Sequence, residues 1–182
     1  MANITLAVTG SISAYKAADL TSQLTKLGHQ VTVLMSRSAI DFITPLTLQS
    51  LSKNLVHTDV MIEENPTLIK HIDIAKETDV FLVAPASANT IAKLANGMAD
   101  NIITATALAL PIGTKKLLAP AMNTNMYLNP VTQKNIKTLI EYGFEEIKPR
   151  EALLACGDFG TGALAEVTDI LEKVSNTLDE KK

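Results

Sequence analysis

The sequence predicts a doubly wound, Rossmann-like α/β fold built on a parallel sheet. Two observations lead to this expectation. Short runs dense in Val, Ile, Leu and Ala recur along the chain without polar alternation, as strands buried on both faces require. Between them lie segments whose apolar residues return at helical spacing, and alternating strands and helices place helices on both faces of one sheet.

The first run, residues 4–8, predicts a buried strand. It is followed by Thr9-Gly10-Ser11 and a helical stretch with Ala14, Ala17, Ala18, Leu24 and Leu27 broadly on one face. Gly28 is well placed to end that helix. Residues 31–35 form the next strand, and the pattern returns at 80–84, 116–119 and 144–147. Helices are predicted over 91–95, 101–110 and 131–142. A last helix carries Val167, Ile170, Leu171, Val174 and Leu178. Residues 59–66 and 149–162 read as loops. Neither a repeat nor a linker divides the chain, so residues 1–182 are expected to form a single domain.

Composition narrows the function. Of 182 residues 47% are hydrophobic and 19% charged, enough to fill a core without disulfide staples. Cys156 is the single cysteine, so no internal disulfide forms and a reducing, cytoplasmic setting is expected. No basic segment precedes residues 4–8, which argues against a secretion signal. No apolar run reaches the roughly 18 residues of a membrane span. A net charge of −3 with 4% aromatic residues gives no basic stripe and no stacking platform for nucleic acid. One cysteine and three scattered histidines provide no metal-ligand spacing. The expected partner is a small molecule.

In open α/β sheets ligands lie beyond the carboxyl ends of the strands, so the residues just after each strand carry the candidate chemistry. After the first strand, Gly10 lets the backbone approach a ligand and Ser11-Ile12 opens a helix whose N–H groups suit an anion. Gly-x-Gly-x-x-Gly is absent, which favours a mononucleotide over a dinucleotide. After the second strand, Ser36 and Ser38 offer hydroxyls for a phosphate or act as helix caps. After the third, Ser87, Ala88, Asn89 and Thr90 place three polar side chains at a helix start, more than one cap requires. After the fourth, Ala121 leads into Met122-Asn123-Thr124-Asn125-Met126, amides flanked by methionines that serve equally well in a core or a site.

Four motifs in this order, Gly10-Ser11-Ile12, Pro85 to Thr90, Pro120 to Met126 and Ala155-Cys156-Gly157-Asp158-Phe159-Gly160-Thr161-Gly162, resemble those of the homo-oligomeric flavin-containing cysteine decarboxylases. Lys70-His71-Ile72-Asp73 resembles the family's catalytic histidine segment. The likeness covers nearly the whole chain, from Ile4 to about Glu166. It is strongest to bacterial members that act on phosphopantothenoylcysteine in coenzyme A synthesis.

The resemblance implies FMN as cofactor, held by Gly10, Ser11, Ile12, Ser36, Ser38, Ser87, Ala88, Asn89, Thr90 and Ala121. It implies His71, Asn123 and Cys156 as catalytic residues: an acid or base, the ligand of the substrate carboxylate, and a proton donor. Met126, Leu153, Ala155 and Leu164 fall where relatives contact substrate, and no metal is implied. Many bacterial relatives carry arginine after the last glycine of the cysteine motif, where this chain has Ala163. The implied scheme oxidises the cysteinyl thiol to a thioaldehyde, releases carbon dioxide to give an enethiolate, and reduces that product again. Related functions with the same fold are decarboxylation of peptides ending in cysteine, flavin prenylation, and regulation by a non-catalytic flavin-binding subunit. The resemblance further implies a homotrimer or an assembly of trimers. With room in 182 residues for this domain alone, a separate phosphopantothenate–cysteine ligase is expected.

Overall fold

The computed structural model describes residues 1–62, 67 and 69–179. Residues 63–66 of the predicted 59–66 loop, and the last three residues of the tail, lie outside them. Six strands, β1 Asn3–Val8, β2 Gln30–Met35, β3 Val56–His57, β4 Val80–Ala86, β5 Lys115–Pro120 and β6 Phe144–Glu146, form one sheet in the order β3-β2-β1-β4-β5-β6. Every pairing in it is parallel. The five strands expected from the sequence are all present, and β3, only two residues long, is added at the edge.

Side-chain alternation within each strand feeds two separate cores. Ile4, Leu6 and Val8 of β1, with Val80, Leu82 and Ala84 of β4, face one side. There they meet Leu20 and Leu24 of α1 (Lys16–Lys26), Leu48 of α3 (Pro45–Ser52), and Ile170 and Val174 of α9 (Val167–Asp179). Ala7, Phe81, Val83 and Leu118 face the other side. They pack on Ile91 of α5 (Ala88–Ala95), Ile102 of α6 (Ile102–Ala109), and Ile136 and Leu139 of α8 (Pro130–Glu141). Ile74 of α4 (Lys70–Glu77) closes this layer. Because both faces are covered, the central strand β4 is apolar and buried along its whole length.

The helix predicted over 91–95 begins three residues earlier, because the Ser87 hydroxyl accepts from Thr90 N–H at 3.3 Å and caps it. Two further helices, α2 (Arg37–Ile40) and α3, follow β2. The start of α3 is marked by Thr44 capping the Thr47 amide, with Pro45 in the first turn, a favoured proline position.

The structure corrects one expectation. Residues 149–162 do not form an irregular loop: β7 (Arg150–Leu153) and β8 (Phe159–Ala163) make an antiparallel hairpin outside the main sheet. Apart from the exposed Leu153 and Phe159 its strands carry small and polar residues, because it is held by backbone pairing and by docking onto the turn after β5. Met122 N–H donates to Gly162 C=O at 2.9 Å. A Cβ at Gly162 would lie 2.3 Å from Met122 O, and one at Gly160 would lie 2.6 Å from Thr124 Oγ1.

Candidate functional site

Strand order reverses direction at β1 and β4, so the loops that follow these two strands diverge and leave a crevice at the sheet's carboxyl edge. Thr9 fixes the geometry there. Its buried hydroxyl donates to Pro85 C=O at 2.6 Å and accepts from Ser87 N–H at 2.8 Å, tying the two loops together. Thr9→Val keeps the shape but leaves the Ser87 amide without that partner. We expect it to lower unfolding free energy by about 1–3 kcal/mol, measured by denaturant titration.

The crevice opens into a cavity of about 490 Å³. One wall is Gly10, Ser11 and Ile12 with Ser87 and Ala88; the floor is Ala121 and Met122; the far wall comes from the hairpin. Ala121 is buried and its N–H donates to Ala86 C=O at 3.0 Å. The amides of Ala88 and Asn89, first in α5, have no partner inside the helix and point outward from its start. Ser11 caps the short 3₁₀ turn Ile12–Tyr15 through Ser13 N–H at 3.3 Å. Ile12, 58% exposed, presents an apolar side chain at the rim.

Other predicted residues stand behind this wall or outside it. Ser38 packs on Gly10 so closely that a Cβ there would lie 2.4 Å from Ser38 Oγ. Ser36 caps α2 through Ala39 N–H and lies 3.2 Å from the Ser38 hydroxyl. Thr90 is buried and bonded to Ser87 Oγ at 3.2 Å, whereas Asn89 is exposed; neither side chain lines the cavity.

At the hairpin end, Asn123 and Cys156 meet. The Asn123 Oδ1 accepts from Asn125 N–H at 2.8 Å, capping α7 (Thr124–Leu128), and this leaves Nδ2 to donate to Cys156 Sγ at 3.2 Å. The thiol in turn lies 3.4 Å from Asp158 Oδ2, in a turn closed by Leu154 N–H to Asp158 C=O and Gly157 N–H to Leu154 C=O. Tyr127 braces α7 from behind: its hydroxyl donates to Glu146 Oε1 at 3.0 Å. Burial, with the neighbouring carboxylate, pushes the phenol up to about 12, so it remains a donor at neutral pH. Met126, Leu153, Ala155 and Leu164 all line the same cavity.

His71 is the exception. It sits in the first turn of α4, does not line the cavity, and its Nδ1 is buried with no hydrogen-bond partner among the described residues. Conversely, Tyr15, Lys16 and Arg150 line the cavity and were not singled out by motif. Their signal in the sequence is faint: Lys16 comes one helical turn after the Gly10 loop, and Arg150 precedes the cysteine motif. Among the described residues no group of three or more His, Cys, Asp or Glu could hold a metal. No described helix is long and apolar enough to cross a membrane.

An open parallel sheet with hydroxyls, helix-start amides and an apolar rim at its switch point defines an α/β protein with a crevice suited to a cofactor. The Flavoprotein family model matches residues 1–179, and the chain belongs to that family. It is 59% identical over 175 residues to a probable phosphopantothenoylcysteine decarboxylase of Streptococcus mutans, covering 96% of this chain and 98% of that one. It is 46% identical over 170 residues to the coenzyme A biosynthesis bifunctional protein CoaBC of Bacillus subtilis, with 93% of this chain and 41% of the relative covered. Thus the chain spans less than half the length of that bifunctional relative. Among solved structures, a mutant PPC decarboxylase complexed with pantothenoylaminoethenethiol superposes with a TM-score of 0.90 at 32% identity, covering 98% of both chains.

Proposed function

We propose that the protein catalyses the FMN-dependent decarboxylation of 4′-phospho-N-pantothenoylcysteine to 4′-phosphopantetheine and carbon dioxide in coenzyme A biosynthesis. The observation that carries this reading is the Asn123 amide directed at the Cys156 thiol, 3.2 Å away, inside a cavity that continues to the cofactor-type crevice. The similarity to named phosphopantothenoylcysteine decarboxylases supports the choice of substrate.

The residues at the crevice fit FMN. Helix-start amides and hydroxyls suit its phosphate, the tight Gly10 loop allows close approach, and Ile12 with Met122 offers an apolar surface for a flat ring. FMN supplies the exchange of electrons with the cysteinyl carbon and sulfur that lets the carboxylate leave beside an electron sink. The protein orients and protonates. Gly10, Ser11, Ile12, Ser87, Ala88 and Ala121 hold FMN directly, while Ser36, Ser38, Asn89 and Thr90 shape the loops behind them. Asn123 Nδ2 donates to the substrate carboxylate. A neutral amide binds it without pinning the charge that must depart as carbon dioxide. Cys156 Sγ–H delivers the proton to the enethiolate carbon. Met126, Leu153, Ala155 and Leu164 enclose the acyl-cysteine end and exclude water.

His71 acts as acid or base from a neighbouring subunit. Its place outside the cavity, the partnerless Nδ1, and exposed Ile12, Tyr15, Ile69, Met126, Leu153 and Phe159 support an oligomer, which we take to be a trimer or an assembly of trimers. His71→Asn is expected to keep flavin absorbance and lose about 10²- to 10⁴-fold in kcat. Mixing it with Cys156→Ser subunits during refolding should restore part of the activity. Absence of any recovery in mixed oligomers counts against a shared site. A ligase supplies the substrate, in keeping with the fusion in bifunctional relatives.

The test is incubation of the purified yellow protein with phosphopantothenoylcysteine, following 4′-phosphopantetheine by mass spectrometry, alongside a peptide ending in cysteine. FMN-loaded protein that forms no phosphopantetheine overturns the reading, and turnover of the peptide alone reassigns the substrate.

A further inference from the structure

Lys16 and Arg150 are the only charged side chains that line the main cavity among the described residues, and both are cations. They belong to different parts of the chain, the first turn of α1 and the start of β7, yet share one counter-ion. Glu166 Oε2 lies 3.4 Å from Lys16 Nζ, and its Oε1 lies 3.0 Å from Arg150 Nε. Arg150 Nε also donates to Leu164 C=O at 3.1 Å. Glu166 therefore sets both cations in place without lining the cavity itself, and two cations against one carboxylate leave a net positive charge. Among the described residues the terminal Nη groups of Arg150 have no partner, and Lys16 spends one long contact out of three donors. The Lys16 side chain is only 19% exposed, where a charge acts more strongly than in open water.

The pair lies away from the decarboxylating end. Arg150 pairs with Ala163 at the open end of the hairpin, while Cys156 sits in the turn at the other. The three residue steps from Arg150 to Leu153 alone span about 10 Å along an extended strand. A substrate whose cysteine carboxylate reaches Asn123 and whose chain runs back along β7 brings its other end to Lys16 and Arg150. The cofactor phosphate has its own donors at the Ser87 and Ser11 helix starts, so this pair remains for a second anion.

We propose that Lys16 and Arg150 form the subsite for the terminal phosphate monoester of the substrate, and so set the preference for a phosphorylated acyl-cysteine over an unphosphorylated one. This rests on the function proposed above. Lys16 acts as a point charge and Arg150 offers its planar fork, while Glu166 is the positioning residue for both.

The experiment compares kcat/KM for phosphopantothenoylcysteine and unphosphorylated pantothenoylcysteine in wild type, Lys16→Met, Lys16→Arg and Arg150→Met, with FMN content read from the visible spectrum. The ratio of the two values should fall about 10- to 100-fold in Lys16→Met and recover substantially in Lys16→Arg. Arg150→Met also loses a brace of the hairpin, so the lysine variants decide the matter. An unchanged ratio in Lys16→Met, with both substrates slowed alike, overturns the proposal. Loss of FMN from that variant overturns it too, by assigning the cation to the cofactor's phosphate. If wild type turns over neither compound, the failure lies with the function and not with the subsite.

Discussion

Cys156→Ser is expected to bind FMN and substrate, to release carbon dioxide in a single turnover, and to lose about 10²- to 10⁴-fold in steady-state kcat. A hydroxyl at the same place is a far poorer proton donor than a thiol, so the last protonation stalls and an enethiol product accumulates. The setting of the thiol supports this division of labour. Asn123 is oriented by the Asn125 amide on its Oδ1 and meets the sulfur through Nδ2, so the proposed carboxylate ligand and the proposed proton donor reach the same small volume. Asp158 Oδ2 accepts from the thiol at 3.4 Å. Rapid-quench measurement of carbon dioxide, with mass spectrometry of the released product, separates decarboxylation from reprotonation. A variant that turns over at the wild-type rate would remove Cys156 from the chemistry.

Gly162→Ala is expected to cost about 10²-fold in kcat/KM while the main sheet stays folded. The added Cβ would lie 2.3 Å from Met122 O, and Gly162 has φ 150°, a conformation side chains rarely adopt. The clash is with backbone, and the Met122 N–H bond to Gly162 C=O holds the same two residues together, so neither can yield without breaking the dock. A hairpin displaced by an ångström moves Cys156, Leu153 and Leu164 off the substrate, a shift of the size that costs about 10²-fold in rate. Gly160→Ala provides the contrast. Its nearest obstacle is Thr124 Oγ1 at 2.6 Å, a side-chain tip that can rotate aside, so the loss should be several-fold smaller. Far-UV circular dichroism and flavin absorbance report on the sheet and crevice independently of activity. Equal losses in the two variants would refute the backbone clash as the cause.

Much of the site was legible because its residues lie in contiguous motifs at strand ends. Gly10, Ser11, Ile12, Ser87, Ala88 and Ala121 come together where β1, β4 and β5 end, which follows once the strands are known to be parallel and adjacent. The strands were legible because burial on both faces leaves a predominantly apolar run in the central strands. The hairpin was not. Arg150–Leu153 and Phe159–Ala163 show little apolar patterning, since their exposed Leu153 and Phe159 (72% and 74%) are the largest apolar groups and the buried side rests on backbone. Lys16 was missed for a similar reason. A lysine in the first turn of a helix is ordinary, and only its proximity to Arg150 through Glu166, 150 residues away in the chain, gives it meaning.

By itself the sequence determined the fold class, the identity of the strand-end loops, and the Asn123 and Cys156 motifs, because periodicity and local turn chemistry are properties of neighbouring residues. Only the tertiary structure decided which of those residues share a cavity. It brought Asn123 to Cys156 across 33 residues and set Thr90 behind Ser87 as part of a cap. It left His71 outside the pocket of its own chain and turned Gly162, the last glycine of the cysteine motif, into a point of backbone docking. These are long-range packing outcomes, fixed by the sheet order and by steric contact between distant segments, and no local pattern encodes them.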